Sequence, residues 1–168
     1  MEVGYSAVRP NYFMDGFLDL FKADSSGNIT MEVPIGDGKI GAIDTYDIGE
    51  TSAVLLAGGK PLNGHALLTG PENISMVRVA DAFASVAGRK ITYVSPDPTT
   101  YGAELEIEDS ASAGDIVDIY EEIRSGTAEM VSNEVKWITG TPARSVEQFA
   151  RANVEAINAA ISAALSRW

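Results

Sequence analysis

Strand-like and helix-like segments alternate along almost the whole chain, and this alternation limits the available folds more than any other feature. Strands are predicted at Tyr5–Arg9, Ile29–Val33, Lys39–Asp44, His65–Thr69 and Ile91–Val94. Helices are predicted at Tyr12–Lys22, from Asp47 to Gly58, from Ser75 to Ala87, at Gly114–Arg124 and from Ser145 onward. Because strands separated by helices form βα units, we predict an α/β fold with a mainly parallel sheet.

Length, charge and composition narrow the class of protein. The 168 residues predict a single domain, residues 1–168. The formal net charge of −12 disfavours partnership with nucleic acid or anionic membranes. There is no membrane-length apolar run and no signal-peptide pattern, so we expect a cytoplasmic protein. The chain has no cysteine and one histidine, His65, which excludes a cysteine nucleophile, a thiolate zinc site and a His-rich metal site.

Of two motifs typical of dinucleotide-dependent enzymes, one matches weakly and the other is absent. Gly36 to Gly41 matches G-x-G-x-x-G by letter, but that pattern holds a pyrophosphate only between a strand and the start of a helix. The next residues, Ala42 to Asp44, are extended in pattern, so a β-turn between two strands is the better interpretation. No lysine has a tyrosine four residues before it, so the Tyr-x-x-x-Lys proton-transfer pair is absent.

Candidate chemical groups have structural interpretations as well. Asp44, Asp47 and Glu50 suit metal ligation or general-base chemistry, or else a helix cap at Asp47 with acids in the first turn. We favour the cap and predict no metal site. We interpret His65 as a structural histidine. The aromatic segment after Pro10 suits a pocket for a flat ligand and a core equally well.

Several stretches, taken in order, resemble the NmrA-like family of atypical short-chain dehydrogenases, which includes reductases of ergot-alkaloid type. They are Tyr5–Met14, Gly36–Lys39 leading to Asp44–Ile48, Leu68–Glu72, Ala87–Tyr93 and Ile138–Phe149. No single motif is specific, but the ordered set covers nearly the whole chain. The resemblance implies a partial Rossmann-like sheet with a helical C-terminal cap.

The resemblance also implies which part of the family's fold is present. Tyr5–Arg9 would be the family's sixth strand and His65–Thr69 its seventh, with Asp97–Trp137 forming a cap over the substrate. The half that carries the glycine-rich nucleotide loop would be missing, so we expect no cofactor to be bound by this chain alone. NAD(P)H is implied if a companion half is present. The residues expected at the substrate are Arg9, Asn11, Phe13, Met14, Tyr46, Tyr101, Tyr120 and Trp137.

Three functions are consistent with these observations. The first is the substrate-binding part of an NAD(P)H-dependent oxidoreductase that reduces small carbonyl, quinone or imine compounds, as the resemblance implies. The second is a freestanding small-molecule binder or a cofactor-free cyclase or isomerase, with Asp44 or Asp47 beside Tyr46 as proton-transfer groups. The third is a regulatory module whose acidic surface binds a basic protein.

The strand Tyr5–Arg9 carries an expectation about partners. It begins four residues after Met1 and has no helix before it, so its usual neighbour would be absent and one sheet edge would be open. Because open edges pair with other strands, we expect a homodimer or a companion chain that covers Tyr5–Arg9.

Overall fold

The structure is a computed structural model that describes residues 4–58, 62–98, 100–101 and 110–167. Its strands are β1 Ser6–Pro10, β2 Phe21–Ala23, β3 Ile29–Glu32, β4 Lys39–Ile40, β5 Gly64–Leu68, β6 Ile74–Ser75 and β7 Ile91–Val94. Its α-helices are α1 Thr45–Ala57, α2 Met76–Ala87, α3 Ser110–Arg124, α4 Glu134–Thr139, α5 Val146–Ala152 and α6 Val154–Leu165. A 3₁₀ helix spans Met14–Leu20. Within the described ranges no helix is long and apolar enough to span a bilayer.

The longer strand pairings are parallel, as the alternating pattern predicts. β1 lies parallel to β5 along five residue pairs, from Ser6 opposite Gly64 to Pro10 opposite Leu68. β3 lies parallel to β7, and the short β2 joins the other side of β3 in antiparallel orientation. β4 and β6 form a second short antiparallel pair. The chain is therefore a mixed α/β fold. The loop described in the next section follows the carboxyl end of β1.

The main hydrophobic core lies between the β2–β3–β7 sheet and helices α2, α5 and α6. Phe83 of α2 is fully buried, with its ring centroid 6.0 Å from that of Phe21 and 6.1 Å from that of Phe149. A smaller apolar cluster beneath β1 and β5 contains Ile43, Ala66, Leu68 and Val135. Apolar burial on this scale is the dominant favourable term in folding, so these two clusters fix the helices onto the sheets.

The helix predicted at Tyr12–Lys22 is wrong at both ends. Backbone bonds to Ile43 hold the start: Ile43 N donates to the Tyr12 carbonyl at 2.8 Å, and Met14 N donates to the Ile43 carbonyl at 2.9 Å. The other end pairs with β3 as strand Phe21–Ala23. Only the 3₁₀ turns between them remain helical, because tertiary pairing overrides the local periodicity.

The predicted cap at Asp47 is also wrong. Asp44 is the N-cap of α1, with an extended backbone and a carboxylate that accepts from Tyr46 N at 2.9 Å. Asp47 lies inside the first turn, where it is buried and accepts from Arg144 N at 2.8 Å. By contrast, Ser75 caps α2 and Gly88 ends it in the left-handed conformation, as predicted.

The C-terminal part differs from its prediction in two places. The capping box of Ser145 and Gln148 is confirmed, but the helix that it starts is interrupted at Asn153 and resumes as α6. The short helix α4 was not predicted. Part of the predicted cap, residues 99 and 102–109, lies outside the described residues.

Candidate functional site

The loop that follows β1 is fixed in place by its neighbours and presents one aromatic ring outward. Asn11 N donates to the Leu68 carbonyl at 2.9 Å, and Phe13 pairs with Ile43 as a parallel bridge. This geometry leaves the Phe13 side chain 45% exposed and buries Met14 to 1% in the main core. Phe13 is therefore available to a ligand, whereas Met14, predicted at the substrate, is a core residue.

Asn11 has a buried donor without an acceptor. Its Oδ1 accepts from Tyr12 N at 2.8 Å, and this bond fixes which side-chain atom is oxygen. Nδ2 is then inaccessible to solvent and has no hydrogen-bond partner in the described part of the chain. Asp15 Oδ2, in the first turn of the 3₁₀ helix that follows the loop, is also unpaired in the described part of the chain. Buried unpaired polar groups cost about 1–3 kcal/mol each, so they mark a place where a ligand or water would be bound favourably.

Three tyrosines from distant parts of the sequence meet beside this loop. The rings of Tyr101 and Tyr120 contact edge to face with centroids 5.9 Å apart, and the Tyr12 ring stacks on Phe17 at 5.4 Å. Tyr101 donates from its hydroxyl to the Glu32 carbonyl at 3.2 Å. Tyr12 and Tyr120 line a small apolar cavity. The other residues that line it are Phe17, Leu20, Val33, Ile35, Ile40, Met76 and Ile123.

Burial makes the phenols of Tyr12 and Tyr120 harder to ionise, because it raises the pKa of each. Burial raises the pKa of Tyr12 far above its ordinary value, and the nearby Tyr120, Tyr101 and Asp19 raise it further. Burial also raises the pKa of Tyr120, and its hydrogen bond with Tyr101 opposes the shift. Because desolvation disfavours the phenolate, both rings act as apolar surfaces with protonated hydroxyl groups rather than as bases.

Arg144 joins the start of α1 to the segment before α5. Its Nη1 lies 3.2 Å from Asp44 Oδ2, and its guanidinium carbon lies 3.6 Å from the centre of the Tyr46 ring. Asp47 accepts from the Arg144 backbone, and burial raises the pKa of Asp47. Both carboxylates are therefore engaged in capping and bridging. Neither carboxylate faces solvent without a partner, so this arrangement does not support the hypothesis that Asp44 or Asp47 transfers a proton.

Two predicted substrate residues lie away from the tyrosines. Arg9 is exposed on β1 opposite Leu67, and Trp137 is 76% exposed on α4. Helix α4 packs on α1 and β5, whereas Tyr120 and Ile123 of α3 cover the apolar cavity. The C-terminal part of α3 thus covers this cavity, whereas Trp137 faces outward from a different surface, and the predicted cap over a substrate stays a prediction. Tyr46 is 54% exposed beneath Arg144.

The glycine-rich turn serves packing rather than phosphate binding. Gly36, at φ +56°, donates from its N–H to Ser95 Oγ at 2.9 Å, and the turn leads into β4. A Cβ atom on Gly38 would collide with the Ile123 carbonyl, and one on Gly41 with the Met130 carbonyl. Among the described residues, no glycine-rich turn leads from a strand into a helix, and the N-terminus of α1 is capped by a carboxylate. Gly36–Gly41 therefore leads into a strand, as the sequence interpretation predicts, and does not meet the start of a helix as a pyrophosphate-binding loop does.

Some of these features had little or no sequence signal. The link from Arg144 to Asp44 crosses 100 positions, and no local pattern marks Arg144 except that it precedes the cap residue Ser145. Tyr12 was foreseen as a pocket or core residue, but its meeting with Tyr101 and Tyr120 depends on how α3 packs. No group of three or more acidic or histidine side chains in the described ranges is arranged to hold a metal ion.

Comparison with known proteins supports the fold described above. No family model matches the chain. The uncharacterized oxidoreductase YesF of Bacillus subtilis is 32% identical over 160 residues, which cover 89% of this chain and 53% of YesF. An NADPH-dependent quinone oxidoreductase from Escherichia coli, solved with NADPH, superimposes with a TM-score of 0.73 at 16% identity, over 89% of this chain and 53% of that one.

A second solved structure shows the same fold. NmrA, a negative transcriptional regulator solved in complex with NAD, superimposes with a TM-score of 0.66 at 18% identity, covering 90% of this chain and 52% of NmrA. The chain spans about half the length of the curated relatives that it matches. The chain is thus similar in sequence to an oxidoreductase, and its fold matches about half of the quinone oxidoreductase and about half of NmrA.

Proposed function

We propose that this chain is the substrate-binding part of an NAD(P)H-dependent oxidoreductase that reduces a small, flat carbonyl or quinone compound. The observation that carries the proposal is the buried, unpaired Nδ2 of Asn11 at the carboxyl end of β1. Ligands of open α/β sheets collect at the carboxyl ends of the strands, and an unpaired donor there suits an acceptor oxygen on the substrate.

The surrounding side chains suit such a ligand. Phe13, two residues after Asn11, offers a half-exposed ring on which an aromatic substrate would stack. The small apolar cavity beneath Tyr12 and Tyr120 is too small to admit a substrate as it stands, so we assign these phenols to the floor beside the site. Their neutral state keeps that floor apolar.

The dinucleotide is assigned to a different polypeptide segment. The described residues offer no pyrophosphate cradle, and the similar quinone oxidoreductase was solved with NADPH. We propose that a segment carrying the glycine-rich loop, in the same protein or in a companion chain, covers the free edge of β1. The reduced nicotinamide would supply the hydride, whereas Asn11 and Phe13 would hold and orient the substrate.

Titration with menadione, a small flat quinone, tests the substrate site. We expect saturable shifts in amide NMR signals from Asn11 to Met14 and at Tyr120. Asn11→Asp keeps the acceptor for Tyr12 N and removes the Nδ2 donor, so it should weaken binding roughly tenfold, the effect of about one lost hydrogen bond. Asn158→Asp, at an exposed position of α6, is the matched control and should change little.

Two outcomes contradict the proposal. Menadione binding that is unaffected by Asn11→Asp would remove its central residue. Tight binding of NADPH by the chain alone, detected as an increase in NADPH fluorescence, would show that the chain holds the dinucleotide itself and needs no other segment.

A further inference from the structure

A basic groove lies on the face of the β2–β3–β7 sheet that points away from the main core. It is open and has a volume of about 300 Å³. We use the name basic groove for the surface whose polar lining consists of Asn28, Thr30, Arg89, Lys90 and Thr92. This volume lies at the lower end of the range of small-molecule sites. The groove is separate from the loop after β1, the apolar cavity and the Arg144 link.

The fold, rather than chance surface placement, brings the two cations to this groove. Gly88 ends α2 in the left-handed conformation, and β7 begins at Ile91. Arg89 and Lys90 therefore occupy the short connection between a helix cap and a strand. Because β3 and β7 are parallel, the turn at Gly27 and Asn28, which precedes β3, lies at the same end of the sheet.

A third cation shares this face. Lys22 is opposite Thr30, and Thr30 is opposite Thr92, so the three side chains form one row on the outer side of the sheet. Phe21, Met31 and Tyr93 form the next row, on the inner side.

These cations lack acidic partners. In the described part of the chain, Arg78 and Arg144 form ion pairs with carboxylates, whereas no carboxylate lies within 4 Å of Lys22, Arg89 or Lys90. Cations at the end of a helix stabilise its dipole, and this accounts for a positive charge after α2. It does not account for the groove or for Lys22 on a neighbouring strand.

Two carboxylates border the groove, and both already accept hydrogen bonds from residues that line it. Asp24 lies in the adjacent turn, but its carboxylate accepts from Ser26 N, Asn28 N and Asn28 Nδ2, so it is engaged in holding that turn. The Thr30 hydroxyl donates to Glu32 at 2.8 Å. Thr92 is exposed and has no hydrogen-bond partner among the described residues, so its hydroxyl remains free to donate.

The net charge of −12 favours a compact anion over an extended one as the ligand of this groove. A long polyanion such as nucleic acid would extend over acidic surface and be repelled. A compact anion that stays within the groove meets Arg89 and Lys90 at short range, where charge-assisted hydrogen bonds are strong. We propose that the basic groove binds the phosphate group of a small phosphorylated compound.

NMR titration of the chain with inorganic phosphate and with pyrophosphate, at constant ionic strength kept with chloride, tests the site. We expect saturable amide shifts at residues 27–30 and 89–92. The double variant Arg89→Gln/Lys90→Gln should weaken binding roughly tenfold or more, because two charge-assisted bonds are lost. Lys136→Gln/Arg151→Gln removes two exposed cations elsewhere and should leave the affinity unchanged.

Several results would overturn the proposal. Shifts that do not saturate, or that chloride alone reproduces, would show charge screening only. Equal weakening in both double variants would show that net charge, not the groove, controls binding. A preference for a polyanion such as heparin over pyrophosphate, abolished by Arg89→Gln/Lys90→Gln, would identify the groove as a surface for extended anions instead.

Discussion

The glycines of this chain differ in how much space their surroundings leave for an added Cβ atom. At Gly41 an added Cβ would overlap the Met130 carbonyl, whereas at Gly49, inside α1, it would meet nothing within 4 Å. We expect Gly41→Ala to destabilise the fold by about 1–3 kcal/mol through overpacking. Gly49→Ala should stabilise it by about 0.5–1 kcal/mol, because alanine favours a helix interior. Urea unfolding of both variants checks the opposite signs, and equal effects would contradict the backbone contact at Gly41.

Loss of Arg144 should destabilise the fold more than loss of an arginine that makes no ion pair. Its removal leaves the carboxylate of Asp44, whose side chain is 4% exposed, without its ion-pair partner. Arg144 itself is 30% exposed, so the cost should lie between that of a surface pair, about 1 kcal/mol, and that of a buried pair, about 3–5 kcal/mol.

Urea unfolding of Arg144→Ala measures this cost. Arg151→Ala, an exposed arginine on α5, is the control. Asp44→Asn/Arg144→Ala should be more stable than Arg144→Ala alone, since no buried charge is then left unpaired. If the double variant is no better, the guanidinium stabilises the fold through its stacking on Tyr46 rather than through charge.

At the scale of elements, an ion-pair network ties α2 to α5. Arg78 donates to Glu147 at 2.9 Å and also contacts Glu72. The hydrogen bond from Arg78 lowers the pKa of Glu147 from 4.5 to about 2. A carboxyl whose folded pKa is depressed contributes stability above its unfolded pKa and loses that contribution as the pH falls through the folded pKa.

This shift predicts how stability depends on pH. Between about pH 4.5 and pH 2 the network should lose its contribution, and Glu147→Gln should reduce the slope of unfolding free energy against pH in that window. The pair is partly exposed, so the effect should not exceed about 1 kcal/mol. Glu155→Gln, an exposed carboxyl on α6, should leave the slope unchanged. If Glu147→Gln has the same slope of unfolding free energy against pH as the unmodified chain, then other carboxyl groups control acid unfolding.

Elements with a complete local signal were predictable from sequence, and those determined by tertiary pairing were not. Ser75 and Gly88 mark both ends of α2, and Ser145 with Gln148 marks the start of α5. The six residues of α4 are too few to show a period, and the break at Asn153 has no proline or glycine. The sequence pattern places the aromatic segment after Asn11 at the end of β1, but which of its residues face outward depends on the bridge to Ile43.

At the scale of the whole molecule, β1 is paired on one side only. In the described ranges its neighbour is β5, and no strand occupies its other side. Tyr5, just before β1, is 61% exposed. An uncovered strand edge presents unpaired N–H and C=O groups that pair readily with another strand. We therefore expect the chain on its own to associate with a second copy through this edge, in the place that we assign to the nucleotide-binding segment.

Light scattering over a range of protein concentrations, combined with hydrogen exchange, checks this expectation. The dimer should form as the concentration rises, with slowed exchange at residues 5–9 in the same range. Ala7→Lys places a charge on the edge strand and should shift the equilibrium toward the monomer. Val77→Lys changes an exposed apolar residue of α2 and should not. A monomer at all concentrations, with freely exchanging amides on the side of β1 that faces away from β5, would contradict association through β1, because only a second chain could protect those N–H groups.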